Sequence, residues 1–389
     1  MRNLLAAIFC LWTLTNAEAQ FVPAAFAIRP VPAVYFGQTI HRLAVWEPTA
    51  PWPSFPVGTL RLWDTPANGP GMNPSRGVYD WSGFDPMVEV AVRNKADIIF
   101  VFGHTPRWAS SQPASSDYWK APPANLQDWD DFVRAVVTRA AGRIKYWEIW
   151  NEAQETDFYT GTVTQMVELA RRAYSIIKTM QPNAQVLTPS VVGGAGPAWM
   201  DRYLAAGGGH YADIMAFHGY FDQKPETIVS VIKNLKSIYS KYGLGAKPMW
   251  DTEASWGDNA WLVSEDGRAA YVAKQLLLHW SLGVERFVWY AYDNERFGTL
   301  WNAATGLAPA GKAYIQVQGW MLGNTLTKPF ALNNGVWSGT FTRPDGSQFT
   351  VTWMEGSTAM PVMSGAPAPT PTPEPSSKLG GGGGHGKNR

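Results

Sequence analysis

The sequence predicts an α/β fold, a (β/α)8 TIM barrel followed by a small C-terminal β appendage. Three observations carry this. Short apolar runs alternate with helical-period stretches through most of the chain. The runs are apolar throughout, as strands buried on both faces of a parallel sheet are. Eight can be counted, over a length that favours the closed barrel over an open doubly wound sheet.

In order, the runs are Val34–Ile40, Thr59–Trp63, Ile98–Phe102, Ile144–Trp150, Gln185–Pro189, Asp213–His218, Lys247–Thr252 and Glu285–Ala291. The helical stretches are Phe84–Asn94, Leu126–Ala141, Val163–Met180, Glu226–Lys241, Gly267–Leu282 and Ala310–Leu322. Apolar residues at 126, 129, 132, 133, 136 and 137 place one face of the second stretch on a core. No helix is expected after the first strand. His41 to Val57 contains Trp46-Glu47-Pro48, Pro51-Trp52-Pro53 and Pro56, and that proline density forbids a regular helix. A long loop should instead lie at the C-terminal face, where barrels carry their sites. The His104–Ala124 loop, with Trp108, Tyr118 and Trp119, belongs to the same face. Val336–Arg343, the turn Pro344-Asp345-Gly346 and Gln348–Met354 read as a hairpin, joined by Lys328–Leu332.

The expected organisation is a signal peptide at 1–19, a catalytic barrel at 20–324, the appendage at 325–364 and a Pro/Thr- then Gly-rich tail at 365–389. Arg2, the apolar run Leu4 to Leu14 and Ala17-Glu18-Ala19 form a cleavable export signal. The mature chain should start near Gln20 and be secreted or periplasmic. No other segment suits a membrane helix, so stable membrane insertion is not expected.

Composition removes several classes. Of 389 residues, 46% are hydrophobic and 16% charged, enough to bury a full core. Lys+Arg is 32 against Asp+Glu 31; without a basic excess, nucleic acid is not an expected partner. The one Cys, Cys10, lies in the export signal, which excludes disulfide, Cys-zinc and iron–sulfur chemistry. No H-e-x-x-H pattern occurs and no G-x-G-x-x-G follows the first strand, so neither metal nor cofactor is expected. The 20 Trp stand out. Their flat faces suit the C–H face of a sugar ring.

Two strand ends carry the chemistry, Tyr146-Trp147-Glu148-Ile149-Trp150-Asn151-Glu152 and Pro248-Met249-Trp250-Asp251-Thr252-Glu253. As strands four and seven of one barrel, both open onto the same mouth. Two facing carboxylates suit glycosidic-bond cleavage. One gives a proton to the leaving oxygen while the other, ionised, attacks the anomeric carbon.

These motifs resemble the retaining clan A glycoside hydrolases with (β/α)8 barrels, and are most similar to family 39 and its relatives, which include β-xylosidases, α-iduronidases and exopolysaccharide hydrolases. The resemblance covers roughly Phe36 to Leu322. It implies that Glu152 is the acid/base, Glu253 the nucleophile and Asn151 the partner of a sugar 2-OH. It further implies that Arg61 supports the nucleophile, that His218 and Tyr220 form a pair near it, and that Trp289 is an aromatic floor. The chain departs from the family in its Pro-rich first loop and its smaller β appendage, and both bear on substrate.

Other residues are read from position. His104 and Trp108 are candidate sugar contacts on the loop after strand three, and Trp119 shares that loop. Glu148 and Asp251 share strand parity with the two catalytic candidates and are expected to be structural, with Arg61 neutralising Glu148. Trp147 and Trp250 are expected to pack outward against helices. The expected activity is a secreted, metal-independent retaining β-glycosidase acting on a polysaccharide or oligosaccharide, with endo action suggested by the Trp-rich rim. A transglycosylase or a non-catalytic carbohydrate-binding barrel are the alternatives.

Overall fold

The computed structural model describes residues 28–365. The expected signal peptide at 1–19, and the tail beyond Gly365, lie outside the described residues. The barrel strands are β1 (Phe36–Gln38), β2 (Thr59–Leu62), β3 (Asp97–Phe102), β4 (Tyr146–Ile149), β5 (Gln185–Leu187), β6 (Met215–His218), β7 (Met249–Ala254) and β8 (Arg286–Trp289). They pair in parallel from β5 through β1 and β8 to β6. Across the remaining seam, a parallel bridge joins Leu187 to Ile214, and Thr188 N–H donates to the Ile214 carbonyl at 3.0 Å. The sheet therefore closes into a barrel.

Alternation along the strands separates two cores. Ile99, Leu187, Ile214, Ala216, Trp250 and Val288 fill the barrel interior. Below them Arg286 lies against the rings of Tyr146 and Trp250, at 4.3 and 4.4 Å, and pairs with Asp97 at 2.6 Å. Trp250 thus points inward, correcting the expectation that it faces a helix. Trp147 faces outward and packs on Phe100 and Phe102.

The helices are α1 (Gly69–Met72), α2 (Phe84–Arg93), α3 (Leu126–Ala140), α4 (Val163–Met180), α5 (Gly196–Ala205), α6 (Ile228–Lys241), α7 (Glu265–Ser281) and α8 (Pro309–Met321). Starts are fixed by side-chain caps where the sequence supplies them: Asn125 for α3, Ser264 for α7, and a Thr162–Gln165 capping box for α4. The sequence pattern omits α5, a short helix opened by Gly196-Pro197 just after Gly193-Gly194, a stretch that reads as loop. None of the described helices is long and apolar enough to cross a membrane.

No helix forms between β1 and β2. That proline-rich loop is tied to the loop after β8, because the backbone N–H groups of His41 and Arg42 each donate to a carboxylate oxygen of Asp293 at 2.8 Å. A two-stranded ribbon, β9 (Trp301–Asn302) and β10 (Gly306–Leu307), precedes α8.

The appendage is an antiparallel sheet of β11 (Thr325–Asn333), β12 (Val336–Thr342), β13 (Gln348–Met354) and β14 (Val362–Gly365). It has one strand more than the sequence pattern shows. The sheet lies against α7: Phe330 N–H donates to Ser281 Oγ at 2.8 Å. Trp353 Nε1 donates to Glu226 Oε1 at 2.9 Å, and the same oxygen pairs with the fully buried Lys274 at 3.1 Å. Leu326, Phe330, Trp337, Phe341 and Trp353 share one hydrophobic core with the helical layer.

Candidate active site

Arg61, on β2, is fully buried beneath the mouth. Its Nε and Nη2 grip Glu148 at 2.9 and 3.0 Å, Nη2 also reaches Asn151 Oδ1 at 2.7 Å, and Nη1 reaches Glu253 Oε2 at 2.6 Å. Arg61 therefore contacts both Glu148 and Glu253. A fork-shaped cation is needed here, since a point charge could not hold three partners at once.

Glu152 stands just beyond β4, where the chain turns sharply. Trp150 and Glu152 take left-handed backbone conformations, with φ of 67° and 43°. Trp150 is anchored by its N–H to the Phe102 carbonyl at 2.6 Å and by Nε1 to the Phe158 carbonyl at 2.9 Å. The turn aims Asn151 down at Arg61, and Glu152 Oε1 meets His218 Nδ1 at 2.8 Å. Ser190 Oγ accepts from Glu152 N–H at 3.2 Å.

Glu253 owes its position to a bulge. Phe217 and His218 on β6 pair with Asp251 and Glu253, so β7 carries one extra residue. Thr252 points inward and donates to Glu148 at 3.2 Å. Asp251 turns outward to His279 on α7 at 2.7 Å, which breaks the shared parity with Glu253 expected from regular alternation. Asp251 Oδ1 in turn accepts the Glu253 N–H at 3.2 Å. Gly219, between His218 and Tyr220, must lack a side chain, because a Cβ there would lie 2.3 Å from Asp251 Oδ2. Tyr220 Oη donates to Glu253 Oε1 at 3.1 Å.

Electrostatics separate the two carboxyl groups. Burial pushes both above the usual carboxylate range. Glu152 is raised further by the neighbouring Glu253 charge and lowered less by that of Arg61, and no cation among the described residues is hydrogen-bonded to it. Glu253, pushed up to about 7, is pulled back by Arg61 and by the Tyr220 hydroxyl. His218 is held neutral, its pKa lowered well below 6.5 by burial and by Arg61. One guanidinium cannot neutralise three buried carboxylates, so the proton belongs on Glu152, the one of the three that Arg61 does not bond.

Glu152, His218 and Glu253 are the one group of His and acidic ligand atoms, among the described residues, close enough to hold a metal, within 4.8 Å of one another. The surroundings suit a cation poorly. Arg61 already occupies Glu253 Oε2, and His218 Nδ1 is engaged by Glu152.

The remaining candidates divide. His104, with φ 57°, lies at the mouth between Trp63 and Trp119, each ring 4.6 Å away. Trp108 does not face the main cleft. Its Nε1 donates to the Asn73 carbonyl at 2.9 Å, beside a separate cavity of about 20 Å³. Trp289 is fully buried on the outer face of β8, packed on Trp256 and bonded to the Gly298 carbonyl at 2.7 Å. It cannot be the floor under a sugar; strand alternation gives that inward position to Tyr290. Tyr290 Oη donates to Asp64 Oδ2 at 2.6 Å, and both line the cleft. Asp64, Tyr290 and Ser190 were not among the expected site residues. Counting parity along β8 from the inward Val288 finds Tyr290, whereas nothing local marks the other two.

The family described as glycosyl hydrolase catalytic core matches residues 101–314, more than half of the chain. No curated relative matches in sequence. Among solved structures, the chain is similar to a glucosidase from Croceicoccus marinus, at 17% identity over 84% of this chain and 76% of that one, with a TM-score of 0.64. It is also similar to a β-xylosidase from Caulobacter crescentus, at 18% identity over 83% and 74%, TM-score 0.61. A family 39 glycoside hydrolase from Bacteroides cellulosilyticus gives 17% identity over 85% and 72%, TM-score 0.60. At these identities the structural likeness concerns the fold, and the family match carries the class. The chain is a glycoside hydrolase and belongs to the glycosyl hydrolase catalytic core family.

Proposed function

We propose that the protein is an exported retaining β-glycosidase that cleaves within a polysaccharide or oligosaccharide chain by double displacement. One observation supports this above the others. Two carboxyl groups approach within 4.8 Å through one oxygen each, yet of the two only Glu253 is hydrogen-bonded to a cation among the described residues. Retaining enzymes hold their pair about 5–5.5 Å apart, and inverting enzymes about 6.5–9.5 Å to admit a water.

In the first step Glu253 attacks the anomeric carbon while the bond to the leaving oxygen breaks and Glu152 transfers its proton to that oxygen. The product is a glycosyl ester of Glu253, with Glu152 now ionised. Glu152 then takes a proton from water as the water oxygen attacks the same carbon, and Glu253 leaves. Asn151 Oδ1 is held by Arg61, so its amide N–H₂ is left to donate toward a sugar 2-OH.

The test is the configuration of the first product, followed by NMR before mutarotation, across a panel of plant and bacterial polysaccharides. The first product should keep the anomeric configuration of the bond cleaved, with internal cuts lowering polymer length early. A first product of opposite configuration would overturn double displacement. Export is tested separately: mass spectrometry of protein recovered outside the cytoplasm should give a terminus at or near Gln20, and an intact Met1 on cytoplasmic protein would overturn it.

A further inference from the structure

The mouth opens into a cleft of about 430 Å³ lined by His41, Trp63, Asp64, Thr65, His104 and Tyr290, with Trp46 on its rim. The volume lies in the range of small-molecule sites. These residues come from the loops after β1, β2, β3 and β8. Glu152 is turned toward the opposite arc, where His218 on β6 and Ser190 after β5 hold it. A leaving group protonated by Glu152 therefore departs over that arc. The sugar that Glu253 would bond, and any unit attached beyond it, extends into the cleft. This step rests on the glycosidase reading above.

The cleft carries polar atoms that the fold does not use. His41 Nε2, His104 Nε2 and Thr65 Oγ1 are buried without a hydrogen-bond partner among the described residues. His41 is itself nine-tenths buried, and its Nδ1 faces the Asn294 amide at 3.3 Å, which leaves Nε2 as the free nitrogen. Orphaned buried polar atoms are costly, and at a cleft wall they point to a ligand that satisfies them. Asp64 is exposed; Tyr290 takes its Oδ2, and Oδ1 is unengaged among the described residues. Burial keeps both imidazoles neutral, with His104 lowered to about 4. No lining residue carries a fixed positive charge. Hydroxyl groups would meet acceptors and donors here, whereas a sugar carboxylate would meet Asp64 with no cation in the lining.

We propose that this cleft is a binding site for a second, uncharged sugar unit on the nucleophile side of the catalytic pair. Asp64, His41 and His104 hold its hydroxyls, and Asp64 rejects a uronate.

The experiment uses Glu152→Gln protein, slowed in the first step, alone and combined with Asp64→Asn. Each is titrated by tryptophan fluorescence with β-linked tetrasaccharides of the gluco, manno and galacto series and with their C6-carboxylate counterparts. At least one neutral series should bind, with its uronate counterpart weaker by roughly tenfold or more, since like charges brought together are strongly unfavourable. Asp64→Asn should bring the two within about threefold, because the repulsion is gone. Equal binding of neutral and acidic forms, discrimination unchanged by Asp64→Asn, or no binding in any series would overturn the assignment. Wild-type hydrolysis is measured on the same sugars. Hydrolysis without discrimination removes the cleft assignment and leaves the glycosidase reading standing; discrimination without hydrolysis does the reverse.

Discussion

Arg61 gives Glu253 a 2.6 Å hydrogen bond that Glu152 does not receive. Glu152 rests instead on the neutral imidazole of His218. The two carboxyl groups share one buried mouth and repel each other when both are ionised, so the Arg61 hydrogen bond decides which of them loses its proton first.

The first prediction is a bell-shaped pH profile for kcat/KM. The active form has Glu253 ionised and Glu152 protonated. Activity should rise as pH passes upward through the Glu253 value, held near 7 by burial against Arg61, and fall as pH passes through the higher Glu152 value. The acid limb should therefore lie well above the usual carboxylate range. Glu152→Gln, assayed with a dinitrophenyl glycoside that needs no proton to leave, should keep the acid limb and lose the alkaline one. A profile unchanged by that substitution would show that Glu152 is not the proton donor.

Arg61→Lys keeps a charge but loses the fork that spans Glu148, Asn151 and Glu253. A point charge cannot satisfy all three partners, so buried acceptors lose hydrogen bonds and the melting temperature should fall. Stability alone would not separate structure from chemistry. The separating readout is the acid limb, measured where both proteins are folded. Ionised Glu253 loses stabilisation in the variant, so the limb should move to higher pH. A limb that stays in place would mean that Arg61 serves only Glu148.

Glu253→Ala should lower turnover by roughly four orders of magnitude or more, the scale seen when a covalent nucleophile is removed. Azide should enter the vacated space and attack the face that Glu253 attacks. The product would be a glycosyl azide of inverted configuration, visible by NMR. Near wild-type turnover in this variant would place the nucleophile elsewhere.

Much of this site is legible in the sequence because a parallel barrel puts every strand end at one mouth. Glu152, Glu253, Arg61, Asn151, His218 and Tyr220 all meet there. What escapes the sequence is local geometry. The extra residue in β7 reverses the facing of Trp250 and Asp251 relative to regular alternation, and no turn signal announces it. Trp289 and Tyr290 differ by one position, and one position on a strand is the difference between helix layer and mouth. Trp108 lies on the expected loop but is drawn aside by the Asn73 carbonyl. Asp64 looks like any surface acid until Tyr290, from the far end of the chain, is seen bonded to it.

The last prediction concerns the appendage, which the structure ties to the barrel through one buried charge. Lys274, on α7, has no exposed surface, and its ammonium is held by Glu226 Oε1 at 3.1 Å and by the Ser357 carbonyl. The same Glu226 oxygen accepts from Trp353 on β13 at 2.9 Å. Glu226→Ala leaves a buried cation with a single carbonyl and an indole N–H with no acceptor. Removing one partner of a buried pair costs about 3–5 kcal/mol, so the variant should melt at a clearly lower temperature. Neither Glu226 nor Lys274 is bonded to Glu152 or Glu253 among the described residues, so kcat/KM at a temperature where the variant is folded should change by less than about twofold. Because Trp353 and the α7 residues Tyr271 and Leu278 belong to one continuous core, unfolding followed by tryptophan fluorescence and by loss of activity should coincide. A fluorescence transition that precedes inactivation would show that the appendage comes away from a working barrel, and that the Glu226 contact fastens it without supporting the site.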